Sequence, residues 1–219
     1  MNPEIRIIQT ADGAEPWTYE ALERLQDRVA ERVLAGGQGA LIFSELEPVV
    51  TLGKRTDRER DLKEEPASFD RLGIGLRDVR RGGLATWHGP GQWVMFAVDR
   101  LERLCGDPRG VRRAVTALLE TAAEVAERYV RGAEVRWGDE TGVWCASGKL
   151  ASVGVQIRDG VLLHGLALNV RRMPESFYGI RLCGLDAQPA YLSDAVPEVE
   201  FAQVREELER AILRRFWKG

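Results

Sequence analysis

Cys183, in YGIRLCGLDAQ, is a thiol flanked by Gly179 and Gly184, with Arg181 two positions before it. A thiolate forms near neutral pH only beside a cation, a base or N–H donors. Arg181 is one such cation within reach along the chain. Cys105 and Cys145 lack this setting, and Cys145 sits in apolar GVWCAS. Cys183 is therefore the candidate nucleophile, the alternative being an inert buried thiol. Lys149, in ASGKLASVGV, could lower the pKa of a thiol and carry its proton. The competing reading is a solvated lysine at a strand entrance. Strict alternation puts Lys149 on the side of Ala151 unless it lies beyond the sheet edge.

The chain has two histidines, His88 and His164, each beside a glycine. Imidazole titrates near neutral pH and can exchange protons. His88 belongs to RRGGLATWHGPGQWVMFAVDR, where Gly82, Gly83, Gly89 and Gly91 surround a short run. Glycine loses the most backbone freedom on folding, so such a density has a reason. Gly82-Gly83 and Gly89-Pro90-Gly91 can turn the chain sharply and leave N–H groups open to a ligand. Two tight turns around a structural histidine are the plainer alternative.

The element that must position Lys149 and His164 is a hairpin. KLASVGVQIRDGVLLHGLALNV carries Asp159-Gly160 between two strand-like runs, a strong two-residue turn signal. Pairing Arg158 with Val161 sets Gly154 opposite Gly165, Ser152 opposite Ala167 and Val155 opposite His164. Ala151, Val153, Val155, Ile157, Leu162, Leu166 and Leu168 then form a core face, and His164 points to it. The other face carries Ser152, Gly154, Gly165, Ala167 and Asn169. Its small residues leave room for something slim, or for another backbone.

Elsewhere EIRIIQT, GALIFSE and PVVTLG read as strands. Helical spacing runs through Trp17, Ala21, Leu25, Val29 and Val33. It returns from Val111 to Tyr129, behind a start signal at Asp107-Pro108, and at Phe201, Val204, Leu208 and Ile212. GKRTDRERDLKEEP reads as a charged loop. Pro189 and Pro197 bracket an irregular segment, so 187–219 could be a small C-terminal lobe of an otherwise single domain over 1–219.

With 219 residues the chain can bury a full core. A net charge of -3 gives no global basic excess for nucleic acid. The N-terminus is acidic and unlike a secretory signal, and no stretch is long enough to span a bilayer. Three scattered cysteines argue against a disulfide framework and for a reducing cytoplasm. No CxxC or HExxH spacing suggests a metal. CASGKL, GIGLRD and the missing GxSxG complete no phosphate, dinucleotide or serine-hydrolase motif.

In order and spacing, EPVVTLGKR, RRGGLATWHGPGQ, GKLASVGV, LLHGLALNV and LCGLD resemble the octanoyltransferases of lipoate biosynthesis, over about Glu47 to Asp186. The resemblance implies an α/β fold of the α+β type, a mixed sheet with packed helices like the catalytic domain of biotin and lipoate protein ligases. It implies transfer of an octanoyl group from octanoyl-acyl carrier protein to a lysine. The acceptors would be lipoyl domains of 2-oxoacid dehydrogenases and the glycine-cleavage H protein. No cofactor, metal, nucleic acid or membrane is implied, and the location is cytoplasmic. Cys183 matches the acyl-thioester nucleophile and Lys149 the lysine that activates it. Arg81, Gly82, Gly83, Leu84, Ala85, Thr86, Trp87 and His88 match a substrate-contacting segment. So do Ser152, Val153 and Gly154, and His164, Gly165 and Leu166. The chain differs from the family pattern at Leu182, where proline is usual, and at Trp87 and Trp93. An ATP-dependent lipoate or biotin ligase, and a non-catalytic acyl-binding module, are the rival readings.

Overall fold

Trp93 to Val98 is apolar at every position, the pattern of a strand covered on both faces. The computed structural model, which describes residues 6–9, 16–182 and 187–216, places it at the centre of a sheet. The strands are β1 (Arg6–Gln9), β2 (Ala40–Ser44), β3 (Val49–Leu52), β4 (Gly75–Asp78) and β5 (Ala85–His88). They continue with β6 (Gln92–Arg100), β7 (Glu134–Arg136), β8 (Gly142–Cys145), β9 (Gly148–Arg158) and β10 (Val161–Asn169). The helices are α1 (Tyr19–Leu34), α2 (Arg58–Asp61), α3 (Pro66–Arg71), α4 (Leu101–Cys105), α5 (Val111–Glu127) and α6 (Phe201–Phe216).

Seven strands form one sheet in the order β1-β2-β6-β10-β9-β8-β7, and β4-β3-β5 form a second. Each sheet mixes parallel and antiparallel pairs. The central strands alternate between two cores. Trp93, Met95 and Ala97 face α5 and α6, with Leu162, Leu166 and Leu168 beside them. Val94, Phe96 and Val98 face α1, together with Leu163 and Ala167. A third cluster joins the small sheet to Phe69, Phe177, Ile180 and Tyr191. Val204, Leu208, Ile212 and Phe216 bury one stripe of α6 in the same core as α5.

The hairpin register is the expected one. Arg158 pairs with Val161, Gly154 with Gly165, Val155 with His164 and Ser152 with Ala167. Asp159 and Gly160 both have positive φ, 51° and 79°, as a type I′ turn requires. Three local expectations are corrected. Within the charged loop, the Asp57 side chain accepts from the N–H groups of Glu59 and Arg60 and starts the helical turn α2. Asp107 caps a turn rather than α5, accepting from Arg109 N at 2.8 Å, while Gly110 precedes the helix. Trp17 lies outside α1, which Thr18 caps.

Candidate functional site

The glycine-rich segment reaches its place through the small sheet. β5 pairs antiparallel with β3, and the turn before it is stapled by Arg81. That guanidinium is buried and donates to Thr51 O, Thr51 Oγ1, Gly82 O and Leu84 O at 2.7–3.0 Å. Gly82 N donates to Val155 O at 2.9 Å, docking the segment on β9. After β5, Gly91 N donates to Glu45 Oε1 at 2.7 Å, which holds the second turn.

Between these elements lies a cavity of about 250 Å³. It is slimmer than the roughly 300–1,000 Å³ of clefts that take drug-sized ligands. Of the residues expected from sequence, Arg81 to Thr86, His88, Lys149, Ser152 to Gly154 and His164 to Leu166 all border it. Trp87 does not. Its ring is buried in the small-sheet core, 5.6 Å from Phe177. Trp93 is turned away likewise, with Nε1 donating to Phe201 O at 2.8 Å. Tyr19, Gly138, Asp139 and Thr141 also border the cavity and carried no motif in the sequence. Arg55, the last residue of EPVVTLGKR but not singled out as a site residue, borders it too.

Lys149 is not a solvated strand-entrance residue. It is 2% exposed, and Nζ donates to Thr141 O at 2.9 Å above the ring of Trp144. Gly142 makes this possible, because a Cβ there would stand 2.3 Å from Lys149 Cε. The lysine's backbone is zipped to the chain beyond 186: its N–H donates to Gln188 O and its carbonyl accepts from Ala190 N, both at 2.9 Å. Cys183 lies outside the described residues. On its N-terminal side Arg181 N donates to Asp61 O at 2.9 Å and Ile180 bridges Leu62. The other two thiols are free. Burial raises the pKa of Cys105, and Cys145 is buried.

His164 is turned the opposite way from the sequence expectation. Its φ is +61°, left-handed for a non-glycine residue, and the ring swings from the α5 face to the α1 face. There Nδ1 lies 3.5 Å from the Tyr19 hydroxyl and the ring meets Phe96 edge-on. Gly165 is also more than an opening in a channel wall. A Cβ on it would stand 2.1 Å from Met95 O, so the residue lets β10 close on β6. Gly154 gives its space to the Arg81 side chain, 2.8 Å from where a Cβ would be.

Both imidazoles are neutral at ordinary pH. Burial, then the Arg81 charge, lowers His88 to about 3, against a smaller upward push from its bond with Gln92. Burial, Arg81 and His88 lower His164 to about 3. Burial raises the Tyr19 hydroxyl and keeps it protonated. The cavity thus combines two buried basic side chains, Lys149 and Arg81, with neutral ring nitrogens and glycine-rich backbone, an arrangement that can stabilise developing negative charge. Among the described residues no cluster of acids, histidines and cysteines could hold a metal, and no helix is long and apolar enough to cross a membrane.

A family model for the lipoyl protein ligase A/B catalytic domain matches residues 18–213. The octanoyltransferase of Magnetococcus marinus is 35% identical over 210 residues, covering 93% of each chain. That of Maridesulfovibrio salexigens is 36% identical over 187 residues, covering 84% of this chain and 85% of its own. In three dimensions the bi-partite lipoate protein ligase of Thermoplasma acidophilum superposes with a TM-score of 0.67 at 18% identity. The match covers 97% of this chain and 83% of that one, and it speaks for the fold alone.

Proposed function

The chain belongs to the lipoyl protein ligase A/B catalytic-domain family, and on that premise we propose that it is an octanoyltransferase working through a thioester on Cys183. The donor is octanoyl-acyl carrier protein, and the acceptor is a lysine of a lipoyl domain, on a 2-oxoacid dehydrogenase or the glycine-cleavage H protein. The curated relatives named octanoyltransferase support the reaction class. The observation that carries the reading is Lys149, a buried lysine on the cavity wall whose backbone is tied to Gln188, five residues beyond Cys183.

In the first half-reaction the Cys183 thiolate attacks the octanoyl carbonyl carbon. The bond to the carrier's sulfur breaks, and Lys149 supplies the proton that the departing thiolate takes. In the second, the neutral amine of the acceptor lysine attacks the acyl-enzyme. The bond to Cys183 breaks, an amide forms, and the amine's proton returns to Lys149. N–H groups of the glycine-rich segment other than those of Gly82 and Gly91, which already donate to Val155 O and Glu45 Oε1, hold the oxyanion in both. Exchange of one thioester for another is nearly balanced, and amide formation is downhill, so no ATP is consumed.

Intact-protein mass spectrometry after mixing with octanoyl-acyl carrier protein tests this. One octanoyl group should appear on wild type, Cys105→Ser and Cys145→Ser, and none on Cys183→Ser. An adduct that survives Cys183→Ser would overturn the assignment. Transfer from free octanoate and ATP, with none from the carrier protein, would assign the chain to the ligase chemistry instead.

A further inference from the structure

A chain of buried amides joins His88 to the main chain around Lys149, and its polarity is fixed from one end. Asn169 Nδ2 contacts Lys149 O at 3.1 Å and Ala190 O at 3.2 Å. Carbonyls only accept, so this atom is the NH₂ group and Asn169 Oδ1 faces the other way. Gln92 Nε2 contacts that Oδ1 at 2.9 Å and Trp87 O at 3.3 Å, so it too must donate. Gln92 Oε1 is then an acceptor, 2.8 Å from His88 Nδ1. A neutral imidazole facing an acceptor through Nδ1 carries its proton there, and Nε2 keeps a lone pair.

We infer that Gln92 and Asn169 are positioning residues: they hold His88 with its proton on Nδ1, so that Nε2 is the nitrogen offered to a cavity ligand, as acceptor for the N–H of the attacking amine. This rests on the acyl-transfer reading above. His88 borders the cavity, and with Nδ1 engaged toward the interior, Nε2 is the ring nitrogen left for a ligand. Tyr19 stacks over the ring at 6.2 Å, fixing its plane, and Arg81 and His164 are the other titratable groups that face it. At the far end of this chain of amides, the Asn169 side chain ties the carbonyls of Lys149 and Ala190 together. The acid–base lysine and the amine's acceptor are therefore set by one network.

The test uses the whole protein with ¹⁵N-labelled histidine, its two rings assigned with a His164→Asn variant. Long-range proton–nitrogen NMR at neutral pH should show His88 protonated at Nδ1 and bare at Nε2. Gln92→Leu should release the proton to Nε2. It should also lower kcat for transfer to a lipoyl domain on the order of tenfold, with KM changed less than about twofold, as for a group used mainly in the transition state. Gln92→Glu still accepts from Nδ1–H but cannot donate to Asn169, so it should keep the tautomer with an intermediate kcat. A wild-type His88 protonated at Nε2 would overturn the inference. So would a Gln92→Leu protein with unchanged tautomer and kcat. If Gln92→Leu does not fold, loss of the Nδ1 proton in Gln92→Glu overturns it equally. A wild-type protein with the expected tautomer but no transfer activity would sink the acyl-transfer reading instead, since the tautomer is read without substrate.

Discussion

The two imidazole walls of the cavity are built in opposite ways. His88 sits in a regular strand, and the amides around it can be followed, donor to acceptor, to main-chain carbonyls. His164 sits in left-handed backbone. Its N–H is held by Gln26 Oε1 at 2.6 Å, and its Nε2 is buried with no partner among the described residues. A non-glycine residue in that conformation costs about 1–2 kcal/mol, and an unmet buried polar atom costs about 1–3. One wall is therefore fixed by hydrogen bonds. The other is a strained shape held down by α1, and strain of this kind tends to collect at functional sites.

The largest effect should come from the Lys149 side chain, although the residue meets the bonded wall only through its main-chain carbonyl. Lys149→Ala should slow acylation at neutral pH by about 10²–10⁴-fold, the usual worth of a positioned acid–base group. The rate should recover partly at higher pH, because the missing cation raises the thiol pKa. Lys149→Arg keeps the charge but not the compact geometry and should not restore the rate. Iodoacetamide alkylation of Cys183 against pH checks the cause. An unshifted midpoint in Lys149→Ala would remove the lysine from thiol tuning.

Next come the two facing glycines. Gly165→Val drives a branched side chain into the Met95 carbonyl and should cost about 3 kcal/mol or more. Gly154→Ala meets the flexible Arg81 stem instead and should cost about 1 kcal/mol. Calorimetric melting compares them, and equal losses would erase the difference between backbone and side-chain contact.

Acid should then weaken both walls. The native histidines bind protons only near pH 3, whereas an unfolded histidine does so near 6.5. Below about pH 6.5 the unfolded chain therefore holds more protons, and stability, full above that pH, falls as pH drops toward 3. Each histidine contributes a slope of at most about 1.4 kcal/mol per pH unit. His164→Asn should flatten the stability curve between about pH 4 and 6 by that share. Identical curves would mean that His164 is solvated.

The smallest effect should be His164→Asn at neutral pH. Asparagine tolerates left-handed backbone, so stability should change by less than about 1 kcal/mol. His164→Val should lose more, because a branched Cβ resists that conformation. If the two variants melt alike, the strand is not strained at this position.

The hairpin was legible because Asp159-Gly160 permits few turn geometries and period-two alternation then fixes every partner. The left-handed backbone at His164 was not, because nothing in LLHGLAL requires it. Lys149 was legible as a candidate but not as buried, since the strands and loops that cover it come from Thr141, Trp144 and Gln188. Most of the cavity wall was legible only through the resemblance of several motifs in order, since glycines beside a histidine would equally suit two tight turns. Tyr19 was not, being one more residue of an amphipathic helix. The α2 turn did leave a trace, Asp57 ahead of RER, outweighed by the density of charge around it.

The strap from Gln188 to Ala190 along Lys149 has a consequence for synthesis on the ribosome. A chain made from its N-terminus can form the β9–β10 hairpin within about 1–10 μs of its emergence. Yet Lys149 N–H has no carbonyl, and Asn169 lacks one of its two, until residues 188–190 have left the tunnel. At about 5–20 residues per second, the growing polypeptide spends seconds with an unclosed pocket. The wall around Lys149 is thus among the last parts of the cavity to be finished.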